Sequence, residues 1–250
     1  MFDKSKLIIL VTGTTIEPWA QNWKECKSTW IPEIEKLGYN VMVAIGNPDL
    51  ETEWKIDGDM IWFKAEDTKR GLYDKSIRMP IDWILSETDY EYYFRIDSDS
   101  FVHPSRFDWM ITENLSNGIP HYMGCAHPAA STNPYESFKY VVCREGTIAS
   151  GCGYMVSRAA MKVAKEKMRI DEDIDYEIDD WALGRAMWEN QVPLTHDSRI
   201  LFESKHKPLA ADPHNIGLPY IGDPNSHLAI QHYMNEHMEE AMVTLGYRNN

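Results

Sequence analysis

Asp97 and Asp99 stand two residues apart at the end of an aromatic, β-branched run, YEYYFRIDSDSFV, residues 90–102. That composition favours a strand, and along an extended chain residues i and i+2 point the same way. Both carboxylates can then aim into the crevice that open α/β sheets present at their strand ends. Two hard oxygen donors on one side suit a Mg²⁺ or Mn²⁺ ion that also holds phosphates. A bare D-x-D also occurs as an Asx-type turn, in which the side chains only bond nearby backbone.

Residues 171–180 read DEDIDYEIDD, seven acids in ten, and such runs are usually solvated loops. An EF-hand is excluded: a loop from Asp171 needs Gly sixth and Glu twelfth, where Tyr176 and Ala182 stand. Asp179 and Asp180 differ because they open the helix-like WALGRAMWEN. Carboxylates in a first turn are stabilised by the helix dipole, typically by less than about 1 kcal/mol. The chemical alternative is a general base that takes a proton from a hydroxyl nucleophile. Ser150-Gly151-Cys152-Gly153 precedes strand-like Tyr154-Met155-Val156, and its glycines permit close approach to the backbone. No G-x-G-x-x-G or Walker pattern accompanies them. His232 follows the apolar piece Leu228–Gln231. A lone histidine is more often structural, and becomes a ligand candidate only if the aspartates hold a metal.

The elements that must position these groups come from a chain of 250 residues, 43% hydrophobic and 26% charged, enough for a sizeable core. The net charge of −14 argues against nucleic acid as a partner, since phosphate binding needs clustered Lys and Arg. Cys26, Cys125, Cys143 and Cys152 show neither C-x-x-C nor zinc spacing. They read as thiols of a reducing compartment, with a pair of disulfides as the alternative. The apolar run LIILV is too short for a signal core or a membrane span, so the expectation is a soluble, cytoplasmic protein.

Strands are expected at 7–11, 41–45, 60–63 and 92–96, with helices over 22–36, where Pro32 unsettles the last turn, and 74–86, begun or interrupted by Pro80. Repeated βαβ passes imply a mostly parallel sheet with right-handed crossovers. Further helices are expected over 104–115, over 158–168 with Ser157 as cap, and over 179–190. Residues 118–146 read as turns and short apolar pieces, and 203–226, with four prolines, as a long loop. No repeat or linker divides the chain, so one domain is expected over 1–250. Its nucleotide-binding half is about 1–103 and its acceptor-binding half about 104–250.

In order, these segments resemble GT-A-fold glycosyltransferases, and among them the Fringe and β1,3-galactosyltransferase family. RIDSDSFV is similar to the family's D-D-D-T-F/Y-V box, with Ser98 in the middle place. VTGTT (residues 11–15) looks like V-K-T-T, KSTW (27–30) like D-T-W, and LYDK (72–75) like L-x-x-K. ASGCGYMVSR (149–158) looks like T-G-G-A-G-F-x-x-S-R, IDDWALG (178–184) like P-D-D-C-T-x-G, and VPL (192–194) like the V-P-L after it. Family members are typically membrane-anchored and disulfide-bonded, and this chain departs from that pattern.

The resemblance implies a GT-A fold, a Rossmann-like, mostly parallel sheet flanked by helices. It also implies an inverting, Mn²⁺- or Mg²⁺-dependent transferase that moves a sugar from a nucleotide diphosphate, UDP by expectation, to a hydroxyl of a glycan acceptor. Asp99 would ligate the metal, Asp97 would bind the metal or the donor ribose, and Ser98 would lie between them. Thr14 and Thr15 would lie near the base, with Lys75 in the donor site and Gly151 and Gly153 under the sugars. Asp180 would be the catalytic base, with Asp179 as second candidate, and His232 the C-terminal metal ligand, with His206 and His227 as alternatives. A sugar nucleotidyltransferase is disfavoured, because TGTTIEPWA lacks a Gly-rich, Arg/Lys-bearing loop. A non-catalytic carbohydrate-binding protein whose aspartates hold Ca²⁺ is the remaining alternative.

Overall fold

The computed structural model describes residues 2–68, 71–116, 121–128, 147–168, 179–197, 199–201, 228–231 and 238–247. β1 (Leu7–Thr12) is buried along its whole length, which suits a strand covered on both faces in a parallel sheet. It lies between β2 (Asn40–Gly46) and β5 (Tyr92–Asp97), parallel to both. β4 (Met60–Phe63) continues the parallel set beside β2, and β3 (Trp54–Asp57) closes that edge antiparallel to β4. The sequence reading contains no strand at β3, which is short and mostly exposed. Gly58, at φ +61°, supplies the turn into β4.

Beyond β5 come β8 (Thr147–Ser157), β7 (Tyr122–Pro128) and β9 (Leu194–His196), giving the order β3-β4-β2-β1-β5-β8-β7-β9. β3 and β8 run against the other strands, so the sheet is mostly parallel, as expected. From β1 the chain fills positions outward in opposite directions, through β2 on one side and β5 on the other. That reversal opens a crevice at the carboxyl ends of β1 and β5. A small second sheet joins β10 (Ile200–Leu201), β11 (Ile230–Gln231) and β6 (Phe101–Val102), with β6 antiparallel to β11.

Helices cover both faces. α1 (Ala20–Ser28) and α2 (Ile31–Lys36) replace the single helix expected over 22–36. Pro32 cannot donate to an α-helical partner four residues back, so the helix ends and restarts with Pro in its first turn. α3 (Met79–Glu87) likewise carries Pro80 in its first turn, after a π-helical turn Asp74–Arg78. The Ser76 carbonyl, which an amide at position 80 would have used, accepts instead from the Tyr93 hydroxyl of β5. α4 (Pro104–Ser116) packs with α1, α2 and α7 (Met238–Thr244) around Trp30, Phe94 and Phe107. α5 (Arg158–Lys167), capped by Ser157 as expected, and α6 (Asp179–Glu189) join α3 on the other face, around Tyr93, Tyr154 and Leu183.

Candidate functional site

The loop after β1 is held by a buried ion pair. Lys75, 3% exposed, donates to the Gly13 carbonyl at 3.0 Å and to Asp67 Oδ1 at 2.6 Å. The second oxygen of Asp67 accepts from Thr14 Oγ1 at 3.0 Å, Thr15 N at 2.5 Å and Thr15 Oγ1 at 2.7 Å. Burial alone would raise the Asp67 carboxyl; the Lys75 ammonium and the Thr15 donors outweigh it and hold it below the usual carboxylate range. Trp23 Nε1 donates to the Thr14 carbonyl at 2.9 Å. A Cβ at Gly13 would lie 3.0 Å from Trp23 and from Val43, so a larger residue here would have to push those side chains aside. Thr14, Thr15 and Lys75 thus form one cluster, with Lys75 acting through Asp67 and backbone.

Asp97, the last residue of β5, opens a turn closed by Ser100 N donating to its carbonyl at 3.1 Å. The box is therefore a turn and not the end of an extended strand. Burial still alternates: Ser98 and Ser100 are covered, while Asp97 and Asp99 are half-buried. The covered side is bolted to the core. Trp30 Nε1 donates to the Ser100 carbonyl at 3.2 Å, Ser100 Oγ to the Cys152 carbonyl at 3.2 Å, and Cys26 Sγ to the Ser98 carbonyl at 3.1 Å. Burial pushes the Cys26 thiol up, which keeps it a donor.

Arg95 sits two residues before Asp97 on the same face and is 1% exposed. Its Nη2 lies 2.8 Å from Asp97 Oδ1 and its Nη1 lies 4.0 Å from Asp180 Oδ1. The guanidinium also lies over the Tyr154 ring, 5.7 Å from its centroid. Asp180 occupies the first turn of α6, whose Leu183 and Met187 are fully buried beneath it. Strand, turn and helix thereby bring Asp97 and Asp180 to one guanidinium. Asp179 shares the first turn of α6, but its side chain lies outside the described residues.

Gly151 and Gly153 both lie in β8. The open side of Gly153 faces Phe94 and Ile230, each 3.1 Å from where a Cβ would be, so this glycine lets β11 approach the main sheet. His206, His227 and His232 lie outside the described residues, as does the expected loop over 203–226. The described chain reaches Gln231, paired with Phe101. No disulfide joins Cys26, Cys125 or Cys152. Among the described residues no helix is long and apolar enough to cross a membrane.

Sequence reasoning missed Asp67, Arg95 and Thr12. Arg95 had a signal, a cation inside an otherwise apolar strand run. Thr12 pairs in register with Asp97, and its buried Oγ1 has no hydrogen-bond partner among the described residues. Asp67 had none, because its partners come from two other segments. His196, also missed, accepts from Ala126 N at 2.9 Å through Nδ1, next to the bulge in β7.

The donor set at the turn fits a hard divalent cation. Mg²⁺ and Mn²⁺ commonly take one or two carboxylates and complete their shell with phosphate oxygens and water. Asp97 and Asp99 offer that pair at an open crevice, with the Thr12 hydroxyl unsatisfied on the adjacent strand. Among the described residues no group of three His, Cys, Asp or Glu side chains could hold an ion alone.

Among solved structures, the chain is similar to a glycosyltransferase involved in the glycosylation of the major capsid of PBCV-1. The two share 14% identity and a TM-score of 0.52, over 93% of this chain and 99% of that one. The galactosyltransferase LgtC, in complex with donor and acceptor sugar analogs, matches at 10% identity and TM-score 0.46, over 98% and 96% of the chains. The inositol-1-phosphate CTP transferase from T. maritima matches at 12% and 0.41, over 77% and 85%. No curated protein sequence matches. The architecture is that of the GT-A glycosyltransferases, as expected from the sequence. Residues 27–198, from the KSTW segment through α6 to β9, match the family described as galactosyltransferase. The chain belongs to the galactosyltransferase family.

Proposed function

We propose that this glycosyltransferase is an inverting, metal-dependent enzyme that moves a sugar from a nucleotide diphosphate, UDP in the first instance, to a hydroxyl of a glycan acceptor. The observation that carries this reading is the convergence, at the strand-order reversal, of the Asp97–Asp99 turn with Asp180 on the first turn of α6. In it the Gly13–Thr15 loop, braced by Lys75 and Asp67, receives the nucleotide. Asp97 and Asp99, with His232 as third protein ligand, hold Mn²⁺ or Mg²⁺, which supplies charge neutralisation for the leaving diphosphate. Asp97 alternatively meets the donor ribose, with Thr12 Oγ1 beside it.

Asp180 accepts the proton of the acceptor hydroxyl. The freed oxygen forms a bond to the anomeric carbon as the bond from that carbon to the diphosphate oxygen breaks. The diphosphate leaves with the electron pair, and a single displacement from the opposite face inverts the configuration. Asp180 is half-buried in the first turn of α6, with its Oδ1 4.0 Å from Arg95 Nη1. Asp179 is the second candidate for this role.

The test is release of UDP from a panel of UDP-sugars with and without Mn²⁺. Metal-dependent release from at least one donor is expected. Failure across the panel, in protein shown to be folded, would leave a metal-dependent carbohydrate-binding protein as the better description. Incorporation of a nucleotide from a nucleoside triphosphate would instead identify a sugar nucleotidyltransferase.

A further inference from the structure

A fully covered arginine in a central strand is a costly choice. Its neighbours in β5, Tyr93, Phe94 and Ile96, are wholly buried, and an apolar residue of similar volume at position 95 would serve stability about as well. Arg95 must therefore be judged by what its two ends do. One NH₂ group meets Asp97, the first acid of the turn, and the other faces Asp180, carried by a helix from the distant acceptor-binding half of the sequence. Tyr154, in register with Arg95 on the adjacent strand, supports the guanidinium plane.

A guanidinium is flat and always charged, and its two NH₂ groups are fixed relative to each other. With one end fixed on Asp97 at 2.8 Å, the guanidinium sets where its other end, 4.0 Å from Asp180 Oδ1, presents its charge. Lysine, with one ammonium on a flexible stem, can hold either carboxylate but not both in a fixed relation.

We propose that Arg95 is a positioning residue that locks the catalytic carboxylate Asp180 to the donor-binding turn through Asp97, so that base and donor are set by one side chain. This rests on the sugar-transfer reading above. Arg95 touches neither sugar nor metal in this role; it sets the distance and angle from which Asp180 meets the acceptor hydroxyl. Misplacement of a reacting group by about 1 Å can cost on the order of 100-fold in rate, so the role belongs in turnover rather than in donor affinity.

The experiment compares Arg95→Lys with wild type and with Asp180→Asn. It reads thermal stability, UDP affinity in Mn²⁺ by calorimetry, and kcat and KM for transfer. Arg95→Lys is expected to remain folded and to bind UDP within about 3-fold of wild type, while kcat falls by roughly 30-fold or more. Retention of kcat within about 3-fold in Arg95→Lys, with Asp180→Asn inactive, overturns the proposal and leaves the sugar-transfer reading standing. Full activity in Asp180→Asn also overturns the proposal, because the base is then Asp179 or another group, whereas absence of transfer in folded wild-type protein removes the sugar-transfer reading itself. If Arg95→Lys does not fold, the double-mutant cycle of Asp97→Asn and Asp180→Asn probes the same link through an intact Arg95. Non-additive losses in kcat/KM support it, and additive ones overturn it.

Discussion

Lys75 and Arg95 are both buried cations beside the crevice, and both hold carboxylates, yet they are built differently. Lys75 spends its charge around the loop after β1, on the Gly13 carbonyl and on Asp67, which in turn collects Thr14 and Thr15. Arg95 spends its charge across the molecule, on Asp97 of β5 and Asp180 of α6. The first is a brace for one loop; the second is a joint between two halves. Removing the brace should therefore cost stability and nucleotide affinity together. Damage at the joint should appear mainly in turnover.

The sharpest break in that comparison separates Asp180 from Asp99. Asp180→Asn is expected to lower kcat by about 1,000-fold, in the range for loss of a general base, with UDP affinity nearly unchanged. Asp99→Asn is expected to show the reverse order of effects, with metal-dependent UDP binding lost first. Calorimetry and steady-state kinetics on the same preparations decide it. Retained turnover in Asp180→Asn would move the base to Asp179.

Next in size is the brace. Lys75→Met leaves Asp67 as an uncompensated, nearly buried charge and should destabilise the fold by roughly 3 kcal/mol. The double variant Lys75→Met/Asp67→Leu should recover much of that stability, because no lone charge remains, but not the UDP affinity. Denaturant melts with UDP titrations check both halves of the claim. Recovery of affinity along with stability would show that the Thr14–Thr15 loop does not depend on this pair.

A third buried basic group, His103, contrasts with both cations because it is kept neutral. Burial and then the Arg106 charge lower its pKa to about 4, while its Nδ1 accepts from Arg106 N at 3.5 Å near the start of α4. The folded pKa is below the ordinary 6.5, so the unfolded chain binds this proton more readily. The associated stability is complete above about pH 6.5 and is lost as pH falls toward 4, by on the order of 2 kcal/mol. Asp67, whose pKa is lowered, contributes stability that is lost only at pH values below its ordinary 3.8. His103→Asn keeps a capping acceptor and should flatten the profile between pH 6.5 and 4.5 in denaturant melts.

The smallest effect expected is at Thr12. Thr12→Val removes a buried hydroxyl that has no hydrogen-bond partner among the described residues, so stability should hold or rise slightly. UDP affinity should fall by about 5-fold if that hydroxyl serves the donor. Unchanged affinity would remove Thr12 from the site.

Much of this was legible in the chain. Local patterns carried β1, β2, β4 and β5, since runs such as LIILV cannot be hidden except in a sheet interior. The Ser157 cap and the start of α6 at Asp179 were likewise visible, because capping and first-turn chemistry act within four residues. The short edge strand β3 was not, having too few buried positions to leave a pattern. The break at Thr29 was not placed either, although Pro32 announced it.

The sequence by itself determined which residues could do chemistry: the D-x-D pair and the Asp179-Asp180 pair. Tertiary structure alone decided how they are joined. Ser98 is held down by Cys26, Asp67 gathers Thr14, Thr15 and Lys75, and Arg95 faces Asp180 only because α6 packs on β8, the strand beside β5. The physical reason is range. Propensity, capping and alternation act over a few residues and leave marks in order, whereas a buried ion pair is set by which surfaces pack together.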